Sequence, residues 1–584
     1  MSIVWKPFEF KIALNMAGAV SAGAYTAGVL DFLIEALEEW QKAKVAFEMH
    51  LANFPSHETF DNPVPLHDIS IEVFSGASAG GMCAAIAACM VQGSFTHITD
   101  PNTTGTNNTF YESWVNKIDI SGLLTANDLK NDATLTSLLD STIIDTIAES
   151  ALTPGIPCPR PYISNSLTLF LTLTNVRGVP YQLYTDPSPT INEFVTYYAD
   201  HLAFETTHPG APTSNPFAKP LPLGQPKNDA WPLLRIAAKA TGAFPLFLAP
   251  RQLTRDLTDY QVPGWIPLSS APPDPRIVPN LPTAPPPTIS TLNIDGGVTD
   301  NDPFDLAHDF LASKNPKAVD GMNPRSPLEA NCAVISVAPF PATTGYNANY
   351  DFSAEQQIVP MLGTLATVLL SQSRFLGESL AVLTNGAAFS RFVIAPADPT
   401  QNNKDALQCG KLGAFGGFME RSFRAHDFLL GRRNCQMFLK THFRLPVDSQ
   451  VIAAGQTKTG SYAETVQSRF ASDPPPGVSV PPGGKVWMPL IPLLGSASAE
   501  VRAPSRGVIT EDKIKTIANM VLSRVNAIKG PLLTGAPAAW LLKTLIGIAC
   551  NPPIRLFTRR KVVNALKTGL SPDVTGPRTS IRQT

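Results

Sequence analysis

The chain has 584 residues, 44% of them hydrophobic and 16% charged, with a formal net charge of −2. That length and apolar content give a globular protein with a sizeable core, and the near-neutral balance carries no electrostatic footprint for nucleic acid. The seven cysteines (Cys83, Cys89, Cys158, Cys332, Cys409, Cys435 and Cys550) are scattered without C-x-x-C spacing, which signals neither a zinc site nor a disulfide framework. MSIVWKPFEF has no basic stretch followed by an apolar one, so no secretory signal is expected and a cytoplasmic location is the default. No uninterrupted apolar run reaches the ~18 residues of a spanning helix.

In chain order, Lys11–Asn15 reads as a short apolar strand that runs into the small residues Met16 to Gly23. The helix that follows carries Val29, Phe32, Leu33, Leu37 and Trp40 at helical spacing. A small-residue turn between strand and helix aims backbone N–H groups into the space above a sheet, where they can hold an oxyanion; close packing of helix on strand is the structural alternative. The same pattern recurs at Asp68–Val91: the apolar run Ile69 to Phe74, then Gly76-Ala77-Ser78-Ala79-Gly80, then a segment of small and apolar residues. Ser78 stands at the apex of a sharp turn, where a hydroxyl is presented for nucleophilic attack in front of a helix N-terminus.

A polar insertion, about 92–161, comes next, with a helix expected near Leu135–Leu152. Leu167–Thr174 alternates as a strand and ends at a turn over Asn175–Gly178. Trp231–Pro250 reads as a small-residue helix stopped at Gly242 and Pro245, and Pro263–Pro287 as a proline-rich loop. At Ser290–Asp305 a strand ends in Asp295-Gly296-Gly297, which places a carboxylate where open α/β sheets carry catalytic groups; a solvated turn aspartate is the alternative. Asn331–Pro339 is a further buried strand. Beyond about residue 345 the sequence turns helical over Gln356–Asn385, Met419–Phe443 and Thr510–Ile528, with a proline- and glycine-rich break at Asp473–Lys485. Gly530–Cys550 reads as a buried or membrane-surface helix, and the basic run Arg555–Lys561 as a solvated face or a membrane-surface patch.

Four stretches, taken together and in this order, resemble the patatin-like phospholipase family: the turn Gly18–Gly23, the elbow Gly76–Gly80, the segment Ala240–Pro245, and Asp295-Gly296-Gly297-Val298 with Asn301 and Pro303. The resemblance implies an α/β three-layer sandwich with a central, mostly parallel sheet over residues 1–345, followed by a largely helical C-terminal region, 346–584. It implies a serine lipid acyl-hydrolase, phospholipase A- or lysophospholipase-like, with Ser78 as nucleophile and Asp295 as its dyad partner. Gly18, Ala19 and Ala79 are the oxyanion donors expected from this pattern, with no cofactor and no metal. The expected partner is a lipid or phospholipid acyl ester, with peripheral contact at a membrane surface. One departure stands out: Ala22 occupies the position where the family carries arginine. Two alternatives remain at this point, an α/β-hydrolase triad using His308 or His426, and a lipid-binding scaffold that retains the fold without activity.

Overall fold

The computed structural model describes residues 5–53, 59–132, 134–155, 157–184, 192–260, 277–280, 287–340, 373, 388–399, 406–478, 486–534 and 552–575. The proline-rich loop and the helix expected over Gln356–Asn385 lie almost wholly outside these residues, as does most of Gly530–Cys550.

The apolar run around Lys11–Asn15 forms β1 (Glu9–Met16), and that around Ser78 forms β2 (Asp68–Gly76). Both are buried on their two faces, which explains why they read as continuous apolar runs without alternation. They pair in parallel at the centre of a ten-stranded sheet. On one side of β1 lie β9 (Cys332–Val337) and then β10 (Arg391–Ile394), both parallel to it. On the other side β2 is followed by β3 (Ile163–Tyr184), then by β4 (Asn192–Thr207) and β5 (Ala218–Pro222). β3 and β4 are antiparallel. The far half of β3 also pairs with β8 (Thr288–Asp295), which pairs in turn with β6 (Arg251–Asp256), while β7 (Ile277–Pro279) lies along the end of β3.

The turn expected at Asn175–Gly178 is a bulge inside β3, where the register shifts between Thr174 and Val179. The Asn175 side chain accepts the N–H groups of Arg177 (3.1 Å) and Gly178 (3.3 Å), and Gly178 is left-handed with φ 69°. Turn chemistry here bends a long strand without ending it. β4 was not legible because Asp200, His201 and Glu205 interrupt its apolar reading while being buried. The Arg255 guanidinium, 3.2 Å from Asp200, supplies the partner that makes such burial tolerable.

Helices cover the sheet. α1 (Gly23–Asn53) and α2 (Ser78–Met90) follow the two central strands. The insertion after α2 holds several short helical turns and α3 (Thr142–Ala151), shorter than the helix expected there. α4 (Ala230–Thr241) ends at Gly242 as its sequence requires, and α5 (Phe304–Lys314) follows the Asp295 turn. Further on come α6 (Arg421–Thr441), α7 (Gln450–Thr457), α8 (Ala463–Phe470), α9 (Glu511–Thr534) and α10 (Pro552–Leu570).

The boundary expected at residue 345 is crossed by both sheet and core. β10 extends the central sheet, and one hydrophobic cluster runs from Phe10 through Phe428 and Leu439 to Ala497. α6 lies against α1 at a crossing made by two glycines. A Cβ at Gly28 would stand 1.9 Å from the Phe428 carbonyl oxygen, and one at Gly431 would stand 2.2 Å from that of Tyr25. Beside this crossing Arg432 pairs with Asp31 and with Glu35. α1 is apolar and long enough to cross a membrane by length and composition, but it is enclosed by protein, which accounts for its apolarity.

Candidate active site

β2 ends at Gly76, and the chain reverses into α2 at Ser78, whose φ is 52°. A residue with a Cβ is strained in that left-handed conformation, so the neighbours must hold it there. Glycines permit the tight reversal: a Cβ at Gly76 would meet the Gly80 carbonyl at 2.7 Å, and one at Gly80 would meet the Met16 oxygen at 2.1 Å. The Ser78 N–H donates to Thr241 Oγ1 at 3.0 Å, so the last residue of α4 fastens the elbow from the side. This places the Ala-Thr-Gly stretch of Ala240–Pro245 in direct support of Ser78.

Asp295 is the last residue of β8, in register with Leu173 of β3, two residues beyond the position paired with Gly76. That arrangement brings Ser78 Oγ to 2.7 Å from Asp295 Oδ2, with the hydroxyl as donor. The other carboxylate oxygen accepts the Gly297 N–H at 2.8 Å, while the Asp295 N–H donates to the Ala243 carbonyl at 3.0 Å. The side chain is wholly buried. Burial raises its pKa to about 7, against the opposing pull of the Ser78 hydroxyl and the Gly297 N–H. A carboxylate with this pKa can take a proton from serine and return it within one catalytic cycle. Gly296 and Gly297 are needed for contact: a Cβ at Gly296 would lie 2.2 Å from the Thr172 carbonyl oxygen, and one at Gly297 2.5 Å from Asn301 Oδ1.

The Gly18 loop packs against Ser78, since a Cβ at Gly18 would stand 3.2 Å from Ser78 Cβ and 2.0 Å from Asn301 Oδ1. Its N–H, expected as an oxyanion donor, is instead given to the Asn301 carbonyl at 3.0 Å. Gly18 is thereby an anchor joining the loop to the Asp295 turn. The expected donors left are Ala19 and Ala79, neither of whose N–H groups has a hydrogen-bond acceptor among the described residues. Ala79 lies in the first turn of α2, where no intrahelical acceptor exists.

From Ser78 an apolar channel leads away between α2, α4 and the insertion. Met82, Ile86, Trp114, Leu139, Ile147 and Leu248 are among its walls. The insertion, polar over much of its sequence, thus supplies an apolar wall through Trp114, Ile118, Leu123, Leu139 and the inner face of α3. The spacing of Ile144, Ile147, Ala148 and Ala151 on one face of α3 was the signal for this, and only the tertiary structure shows what that face covers. Phe415 and Phe418, from the C-terminal half, line the same channel.

Neither histidine of the triad alternative is placed to act. The imidazole of His308 is bonded to Asp309 and that of His426 to Asp427, and among the described residues no histidine lines the channel. Among the described residues no three His, Cys, Asp or Glu side chains converge as a metal site would require. Asp300, next to the Asp295 turn, is buried and raised to about 8 by burial and by Asp302. The Asp302 carboxylate in turn accepts from Asn15, whose amide oxygen accepts the Ser75 hydroxyl at 3.0 Å. This polar network braces the ends of β1 and β2 behind the elbow.

The sequence profile of patatin-like phospholipases matches residues 14–308, which contain the elbow, the Asp295 turn and the whole channel-forming insertion. A protein of Sinorhizobium fredii (strain NBRC 101917 / NGR234), named only as the uncharacterized protein y4iI, is 29% identical, the similarity covering 90% of this chain and 76% of that one. That relative spans the C-terminal half as well as the profile region, so the two halves recur as a unit. The chain belongs to the patatin-like phospholipase family.

Proposed function

We propose that the protein is a serine-dependent lipid acyl-hydrolase, phospholipase A- or lysophospholipase-like, working through a Ser78–Asp295 dyad and an acyl-enzyme. The observation that carries this reading is the 2.7 Å hydrogen bond from Ser78 Oγ to a buried carboxylate at the head of an apolar channel. In the first step Oγ attacks the ester carbonyl carbon while its proton passes to Asp295 Oδ2. The carbonyl π pair moves to oxygen, and the oxyanion meets the Ala19 and Ala79 N–H groups and the N-terminus of α2. Collapse expels the alcohol, which takes the proton from Asp295 and leaves the acyl group esterified to Ser78. Water then attacks the acyl carbon, giving a proton to Asp295, and collapse releases the fatty acid as Ser78 Oγ takes that proton back. The channel holds the acyl chain and excludes solvent around the dyad.

The exposed Leu246 and Phe247 follow Phe244 of the channel wall, and their apolar surface supports contact with a lipid aggregate from which the substrate is drawn. Hydrolysis of p-nitrophenyl butyrate and of a phospholipid panel tests the reading. Wild type is expected to turn over, with Ser78→Ala and Asp295→Asn each lowering kcat by roughly 10³-fold or more. Equal rates from all three would overturn the mechanism. Absence of turnover by wild type on every ester would favour the scaffold alternative.

A further inference from the structure

We propose that the segment Cys409–Phe418 is part of the catalytic unit, setting the oxyanion loop through Ser21, a positioning residue; this rests on the acyl-hydrolase reading above. The loop needs an external restraint. Val20 holds φ 48°, a left-handed conformation disfavoured for a β-branched side chain, and Ala22 offers no polar group with which the loop could be tied down. Its internal bond, from the Ala22 N–H to the Ala19 carbonyl at 2.8 Å, closes a single tight turn.

Ser21, fully buried, provides the tie. Its N–H donates to the Ala414 carbonyl at 3.2 Å and its hydroxyl to the same oxygen at 2.5 Å, with the Cys409 carbonyl a further acceptor at 3.3 Å. The hydroxyl oxygen also accepts the Gly417 N–H at 3.1 Å, so both its donor and its acceptor capacity are used. The receiving segment is shaped for this contact. Leu412, Gly413 and Ala414 are consecutively left-handed, with φ of 52°, 62° and 71°, which turns the Ala414 carbonyl onto Ser21. Gly417 has no room for a side chain: a Cβ there would lie 2.4 Å from Cys409 Sγ and 2.7 Å from Ser21 Oγ. The buried Asp427 carboxylate fixes the segment to α6 by accepting the N–H groups of Gln408 (3.0 Å) and Cys409 (2.8 Å). Val20, Phe415 and Phe418 then face the channel together with Ser78.

The test uses the full-length protein with Ser21→Ala and Gly417→Ala, each checked for folding by thermal unfolding. Turnover of p-nitrophenyl butyrate is compared with the affinity for a trifluoromethyl ketone, which becomes a tetrahedral oxyanion on Ser78, and for dodecanoate, which fills the channel without forming one. The proposal expects kcat to fall about 10- to 100-fold and the ketone to weaken in step, with KM and dodecanoate affinity within about threefold of wild type. It is overturned by folded variants that keep kcat within about twofold, or that lose dodecanoate affinity as much as kcat. If Ser21→Ala does not fold, Gly417→Ala, which pushes the same loop by steric contact, decides. Failure of the hydrolase reading itself is distinguishable, because it shows as wild-type protein without Ser78-dependent turnover.

Discussion

The chemistry at the residue scale turns on one carboxyl group. Because burial raises Asp295 to about 7, kcat/KM should rise with pH through that value as the base ionises, and a rate profile on a neutral ester measures it. The same shift has a consequence for stability. The native state retains a proton that the unfolded chain releases near the ordinary value of 3.8, so this contribution is fully present below that pH and is lost as pH rises through about 7. Asp295→Asn should flatten this part of the stability profile, seen as a smaller difference between urea midpoints at pH 5 and pH 8 than in wild type. Asp300, raised to about 8, contributes a second part that the substitution leaves in place. Ser78 and Asp295 were legible because each motif concentrates its signal in neighbouring residues. Thr241, Asn301 and Ser21 were not assigned supporting roles, since their hydrogen bonds reach across the fold to residues that no local pattern connects.

Among the elements, strands buried on both faces and their glycine turns were readable, whereas α3 and α6 acquire their meaning only from what they cover. α3 turns Ala148 and Ala151 into the channel. Ala148→Trp is therefore expected to raise KM for a dodecanoyl ester by about tenfold or more while leaving a butyryl ester within about threefold; equal effects on both would remove α3 from the acyl wall. α6 depends on the two-glycine crossing with α1. In Gly431→Ala the new Cβ would stand 2.2 Å from the Tyr25 carbonyl oxygen, a backbone atom that cannot swing aside. A loss of about 1–3 kcal/mol in urea unfolding is expected. A neutral result would mean that the helices separate freely. Asp31, wholly buried, serves the same junction: it pairs with Arg432 and accepts from Asn108 (2.7 Å) and His97 (3.0 Å), tying α1 to α6 and to the insertion at once.

At the scale of the molecule, the division expected at residue 345 came from a real change in composition, from strand-bearing to helix-rich sequence. Past that division β10 continues the sheet beyond β9, and α6 packs against α1. A fragment ending at residue 345 should consequently show no cooperative unfolding transition, whereas a soluble, cooperatively melting fragment would restore the two-part division. The same interdependence reaches the candidate site, since Phe415 and Phe418 wall the channel and the Ala414 carbonyl holds the Gly18–Gly23 loop through Ser21. The central claim, that a buried aspartate activates Ser78, is tested most directly by fluorophosphonate labelling followed by peptide mapping. Wild type should carry the label on Ser78, Asp295→Asn should label at least about 100-fold more slowly, and Ser78→Ala not at all; wild type that stays unlabelled, or an Asp295→Asn variant that labels at the wild-type rate, would contradict it.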